Sequence, residues 1–205
     1  MKKLFLASSF PKVSDLLDDF VGEEGSGRTI SFIPTAGYFK QDKAYIELAK
    51  RTFVELGMAV DELELSDMSP AEAEAGLDKS DYIYVAGGNA FYLMQELKRT
   101  GADEIITSQV GEGKPYIGES AGSAIAAPSI KYIDQMDDVS VANSLSDYGG
   151  LGLVDFYPVP HVDNQKYAEK VKRIMENYSQ LDLKPISDSQ VIILEGDQQR
   201  IVSCN

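Results

Sequence analysis

"KPYIGESAGSAIAAP" occupies residues 114–128, and its reading decides the fold. Lys114-Pro115-Tyr116-Ile117-Gly118 looks like a buried strand, and residues 121–127 look like an alanine-rich helix. Between them, Gly118-Glu119-Ser120-Ala121-Gly122 sets a glycine two residues before and two after a serine. G-x-S-x-G between a strand and a helix is the nucleophile-elbow pattern, a sharp turn that projects one hydroxyl into a cleft. Flanking glycines let neighbouring backbone pass closely. The Ala121 N–H can then face a developing oxyanion. The competing reading is a Gly/Ser-rich turn before a well-packed alanine helix.

Outward from the elbow, strand and helix patterns alternate. "DYIYVAGG" (81–88) is strand-like and "NAFYLMQELKRTG" (89–101) helical, with a further helix over about 102–112 leading into the elbow strand. Upstream, "KKLFLASS" (2–9), "RTISFIPTA" (28–36) and "MAVDELELS" (58–66) read as strands. Helices over 13–22 and 41–57 separate them; the second has apolar Ala44, Leu48, Phe53 and Leu56 and a C-cap glycine at Gly57. Ser69-Pro70 opens another helix, with Ser as N-cap and Pro at the first helical position. Residues 129–150 are irregular. "LGLVDFYPVPHV" (151–162) carries a strand, 164–180 a charged amphipathic helix, and 191–203 a hairpin turning at Gly196-Asp197. This alternation predicts one three-layer α/β domain over 1–205, built on a mostly parallel sheet covered on both faces.

Composition narrows the function classes. The 205 residues are 43% hydrophobic and 25% charged, with a net charge of -14. Acids outnumber bases, which argues against binding nucleic acid, where clustered Lys and Arg must neutralise phosphate. It argues equally against an anionic membrane surface. The single cysteine, Cys204, cannot form an intramolecular disulfide, which fits a reducing compartment. The opening apolar run ends by Ser8, too short for a signal-peptide core, and no stretch approaches the roughly 18 apolar residues of a membrane span. The expectation is a cytoplasmic protein. One histidine and one cysteine make a poor ligand set, so neither metal nor cofactor is expected.

In open α/β sheets, ligands bind beyond the carboxyl ends of the strands. A second glycine-marked strand end, Ala86-Gly87-Gly88-Asn89, lies there with the elbow. It is either a plain turn with Asn89 as N-cap, or a loop whose Gly88 N–H joins that of Ala121 in an oxyanion hole. A phosphate loop is disfavoured, because neither G-x-x-x-x-G-K-[ST] nor G-x-G-x-x-G is present. A serine nucleophile needs a base. His161 is the sole imidazole, and Pro158 and Pro160 hold its approach stiffly; a lysine base is the alternative. A third group should accept the other imidazole N–H, and Asp163, Asp188, Glu195, Asp134, Asp137 and Asp138 are all open candidates. Glu119 points either to solvent or toward a substrate amine.

"VAGGNAFYLMQEL", "YIGESAGSAIAAP" and "PVPHVDNQ", in this order, resemble peptidase family S51, which includes peptidase E and the cyanophycinases. The resemblance covers nearly the whole chain. It implies a class I glutamine amidotransferase-like (flavodoxin-like) architecture and a serine peptidase acting on dipeptides or short peptides, as monomer or homodimer. Ser120 would be nucleophile and His161 general base, Gly88 and Ala121 would form the oxyanion hole, and Asn89 would shape the substrate loop. The family's third member is a glutamate before the tail strand; Asp188 in "PISDSQVII" matches that position. An acid linked to function in the family falls near Asp134 to Asp138. The family's arginine-containing stretch, associated with an N-terminal aspartate, has no counterpart in "HVDNQKYAEKVKRIM", where Lys166, Lys172 and Arg173 are the nearby bases. Aspartyl specificity is therefore not carried over. The alternative is an inactive, amidotransferase-like protein that binds a small metabolite.

Overall fold

The computed structural model describes residues 1–22 and 27–204. In chain order its strands and helices are β1 (Lys3–Ala7), α1 (Leu17–Val21), β2 (Thr29–Ile33), α2 (Ala44–Glu55), β3 (Ala59–Glu62) and α3 (Pro70–Lys79). There follow β4 (Tyr82–Val85), α4 (Ala90–Thr100), α5 (Ala102–Glu112), β5 (Tyr116–Glu119) and α6 (Ala121–Ala124). The chain closes with β6 (Tyr157–Val159), α7 (Ala168–Asn177), β7 (Leu183–Pro185), β8 (Gln190–Glu195) and β9 (Gln198–Ser203).

Seven strands form one sheet in the order β3-β2-β4-β5-β1-β8-β9. The first five run parallel, and the β8–β9 hairpin adds two antiparallel strands beside β1. Strand side chains alternate between the faces. On β1, Leu4 and Leu6 join the core cluster under α3, α4, α5 and α6, while Phe5 and Ala7 join the one under α1 and α2. Burial on both faces explains why the central strands read as unbroken apolar runs. The second core is aromatic: Phe10 stacks on Phe53 with centroids 4.3 Å apart, and Tyr84 packs against both. Each such pair adds about 0.5–1.5 kcal/mol beyond area burial. This cluster anchors the turn after β1 beside the site.

Several local expectations are corrected. In α2 the buried stripe is Ile46, Ala49 and Phe53, while Ala44 and Leu48 face solvent. The third strand shrinks to Ala59–Glu62 because it lies at the sheet edge, with one neighbour. The helix after the elbow ends at Ala124, and the chain then turns to meet Leu151, whose N–H donates to Ile125 O at 2.7 Å. Within 151–162 only Tyr157–Val159 is a strand, and it pairs in parallel with β7 in a separate two-stranded sheet. β7 was not expected. Ser69 does cap α3, in a capping box with Glu72. Among the described residues no helix is long and apolar enough to cross a membrane.

Candidate active site

The elbow is a backbone corner that only glycine permits. A Cβ on Gly122 would lie 2.1 Å from Val85 O, and one on Gly118 2.6 Å from Gly122 O. The turn can therefore close directly against the end of β4. Ser120 N–H donates to Ala7 O at 2.9 Å, and Ser123 Oγ bonds the carbonyls of Ala7 and Gly118. Ser120 itself takes φ 49°, a left-handed value that costs a non-glycine residue of order 1–3 kcal/mol. The surrounding bonds hold it there, and the hydroxyl faces the cleft.

The small sheet assembles the rest. β6 and β7 lie in register, Val159 opposite Pro185, so the chain leaves both strands side by side. His161 follows β6 and Asp188 follows β7. Their side chains meet, Nδ1 to Oδ1, at 2.6 Å, and His161 Nε2 lies 2.9 Å from Ser120 Oγ. His161 is the other non-glycine residue with positive φ, at 68°, among the described residues. Its N–H donates to Ser8 Oγ at 3.1 Å, and that hydroxyl donates to Ile186 O at 3.0 Å. Ser8, at the carboxyl end of β1, thus joins the small sheet to the large one. The Tyr167 ring stacks on the imidazole, centroids 4.5 Å apart and planes at 17°.

Burial alone would raise the Asp188 carboxyl. Hydrogen bonds from His161, Lys12 and Asn164 outweigh it and hold the group below its ordinary value. An ionised Asp188 only accepts. Nδ1 therefore carries a proton, and Nε2 is the nitrogen that faces the serine hydroxyl.

The other acids sort cleanly. Asp163 accepts the Asp188 N–H at 2.9 Å and so supports the loop without reaching the ring. Asp134 accepts from Tyr178, Asp138 caps Ser140, and Glu195 pairs with Arg200; none approaches His161. Asp137 lines the cleft, and its Oδ2 accepts the Ala90 N–H at 2.9 Å. Burial pushes its carboxyl up to about 6, despite that bond and the neighbouring Lys40 and Lys170.

The glycine loop lies against the serine. A Cβ on Gly87 would be 3.1 Å from Ser120 Cβ, and Tyr45 Oη holds the loop by donating to Gly87 O at 2.9 Å. Gly88 has φ 150° and passes so close to Ala36 O that a Cβ would come within 2.0 Å. Among the described residues no hydrogen bond engages the N–H of Gly88 or Ala121. Asn89 takes the N-cap place that the sequence offered for it. It lies outside the cleft lining, caps α4 by accepting the Tyr92 N–H, and donates to Asp138 O. Glu119 lies on the cleft floor, 4% exposed, accepting from the Phe10 N–H at 3.2 Å and from the Tyr84 hydroxyl. Burial raises its carboxyl to about 7.

These groups line a cleft of about 450 Å³. Of the bases considered, Lys166 lines it, whereas Lys172 and Arg173 are exposed on α7. Lys40 and Lys170, which the sequence did not single out, line it too. Ser8, Lys12, Asn164 and Tyr167 were also missed; the single available signal was Asn164 within the histidine motif. Among the described residues no cluster of His, Cys, Asp and Glu could hold a metal ion.

The model of peptidase family S51 matches residues 4–202. An uncharacterized peptidase of Pasteurella multocida is 46% identical over 202 residues, covering 98% of this chain and 97% of the relative. Another, from Listeria monocytogenes, is 42% identical over 199 residues, 97% of each chain. Peptidase E of Nostoc is 32% identical over 148 residues, 72% of this chain and 57% of its own. A crystal structure of a candidate peptidase E from Listeria monocytogenes superposes with a TM-score of 0.95 at 40% identity, over 100% of both chains.

Proposed function

The chain belongs to peptidase family S51, and from that premise we propose that it is a serine-type peptidase hydrolysing dipeptides or short peptides through an acyl-enzyme. The observation that carries the reading is the unbroken chain Asp188–His161–Ser120 at the cleft floor, with bonds of 2.6 and 2.9 Å. His161 Nε2 accepts the Ser120 proton as Oγ attacks the scissile carbonyl carbon. The negative charge that develops on the carbonyl oxygen is received by the N–H groups of Gly88 and Ala121. Collapse breaks the C–N bond, and His161 passes its proton to the leaving amine. Water, activated by the same imidazole, then releases the acid product. Asp188 keeps the proton on Nδ1 throughout and stabilises the imidazolium.

The cleft volume suits a short substrate better than an extended polymer. Asp137, half-buried at its edge, is a candidate anchor for a substrate amine, and Lys40, Lys166 and Lys170 supply cations for a carboxylate. The protein acts as a monomer or homodimer in this reading, in the cytoplasm and without a cofactor.

The test uses a fluorophosphonate and a dipeptide panel. The wild type is expected to lose activity as one equivalent of probe is incorporated, and Ser120→Ala to take up none and cleave nothing. A wild type that neither labels nor cleaves any member overturns the peptidase reading in favour of a metabolite-binding protein.

A further inference from the structure

Glu119 sits where three strand ends meet. It is the last residue of β5, directly before Ser120. One carboxylate oxygen accepts the N–H of Phe10, in the turn after β1, two residues beyond Ser8. The other accepts the hydroxyl of Tyr84 on β4, the strand that leads to Gly87 and Gly88. A single side chain therefore binds together the nucleophile, the glycine loop and the Ser8 turn that holds the His161 backbone. We propose that Glu119 is a positioning residue whose carboxylate form holds these three segments in the working arrangement, so that its protonation switches the site off independently of His161. The proposal rests on the serine-peptidase reading.

The chemistry gives the direction. As a carboxylate, Glu119 offers acceptors to two donors, and both are satisfied. Protonation turns one oxygen into a donor: the Phe10 N–H cannot accept from it, and the Tyr84 hydroxyl can accept only by turning its own hydrogen away from Glu119. Of the side chains packed on the Tyr84 ring, Phe10, Phe32 and Phe53 carry no acceptor for a hydrogen turned away from Glu119. The titratable groups around Glu119 are Tyr84 on β4, Tyr45 on α2 and Asp188 after β7, with His161 across Ser120. Burial and the Asp188 charge raise the Glu119 carboxyl, while the bonds from Tyr84 and Phe10 lower it. The net position, about 7, lets the group change state near neutral pH.

The rate of Ser120 labelling by a fluorophosphonate, measured against pH, reads this out without a known substrate. On the acidic side the wild-type rate should fall with two protons, one of them taken up by Glu119, giving a limiting logarithmic slope of about two. Glu119→Gln, a neutral isostere, should label more slowly at pH 8 and fall with a slope of about one. Tyr84→Phe removes a bond that favours the carboxylate and should move one limb to higher pH. A ¹³C carboxyl titration of glutamate-labelled protein should show a resonance changing near pH 7 that is missing in the Glu119→Gln spectrum, a readout that does not depend on activity. A slope of one in the wild type, an unchanged slope in Glu119→Gln, or no such resonance overturns the proposal. Absence of labelling at every pH overturns the peptidase reading, and the proposal falls with it.

Discussion

Ser120 and His161 share a rare backbone property: both adopt positive φ, at 49° and 68°, and their side chains meet at 2.9 Å. Two strained residues in direct contact, each held by bonds from other segments, mark a site where geometry has been favoured over local stability. Removing the hydroxyl should leave the strain and abolish the chemistry. Ser120→Ala is expected to lower kcat by at least about a thousandfold while the far-ultraviolet spectrum stays that of the wild type.

Asp188→Asn tests the orientation of the imidazole. The amide can donate to Nδ1, which moves the ring proton to Nε2 and faces a donor toward the serine. The expected loss in kcat is about 10³–10⁴-fold. Asp163→Ala, which withdraws only the acceptor for the Asp188 N–H, should cost far less. Equal losses in the two variants would reverse these roles.

Asp137 makes stability depend on pH in a defined sense. Its carboxyl is raised in the folded protein to about 6, so the fold is favoured by protonation and loses that contribution as pH rises through 6. Asp137→Asn retains an acceptor for the Ala90 N–H and avoids the buried charge. Its melting temperature should exceed that of the wild type at pH 8, and the gap should close as pH falls toward 4. A gap that widens on acidification would contradict the assignment. If the same carboxylate anchors a substrate amine, KM for a dipeptide should rise in this variant at pH 8 while kcat changes less.

Two glycines should respond oppositely to alanine. At Gly122 the new Cβ would press on Val85 O, at 2.1 Å, with an expected cost of about 1–3 kcal/mol and loss of Ser120 labelling. At Gly111, in α5, nothing lies within 4 Å, and Gly→Ala should raise stability by up to about 1 kcal/mol. Thermal melts of the two variants distinguish steric demand from composition.

The stack on His161 is a matter of ring, not hydroxyl. Tyr167→Phe should leave kcat near the wild-type value, and Tyr167→Ala should lower it by about two- to tenfold. A pH–rate profile that shifts in the alanine variant and not in the phenylalanine variant would show that the ring acts on the imidazole.

Legibility in the sequence tracked how local each feature is. The corner at Ser120 and the loop at Gly87-Gly88 are written in consecutive residues, because Gly88, Gly118 and Gly122 each lie too close to neighbouring backbone to carry a Cβ. The parallel sheet followed from apolar runs such as Tyr82–Val85, buried on both faces. β7 was invisible: Leu183-Lys184-Pro185 is three residues long, partly exposed and without alternation. That strand decides which acid reaches His161, so spacing alone left six candidates open, and the family resemblance supplied Asp188. Ser8 and Lys12 were missed for the same reason. They lie over 100 residues from Ser120 in the chain and arrive only through the pairing of β1 with β5. In α2, a stripe drawn through Leu48 selected an exposed position, because two apolar faces fit similar helical spacing and only packing against the sheet decides between them.

The separate two-stranded sheet has a consequence for how the protein fails. His161 and Asp188 ride on one small unit, Ser120 on the large one, and the Ser8 hydroxyl bridges the seam between them. Heat or mild denaturant acting on that seam would part proton acceptor from proton donor while the seven-stranded core stays intact. Inactivation should therefore run ahead of unfolding. Hydrogen exchange at the β6–β7 amides would follow the loss of activity, and exchange at β4 and β5 would follow the loss of the fold.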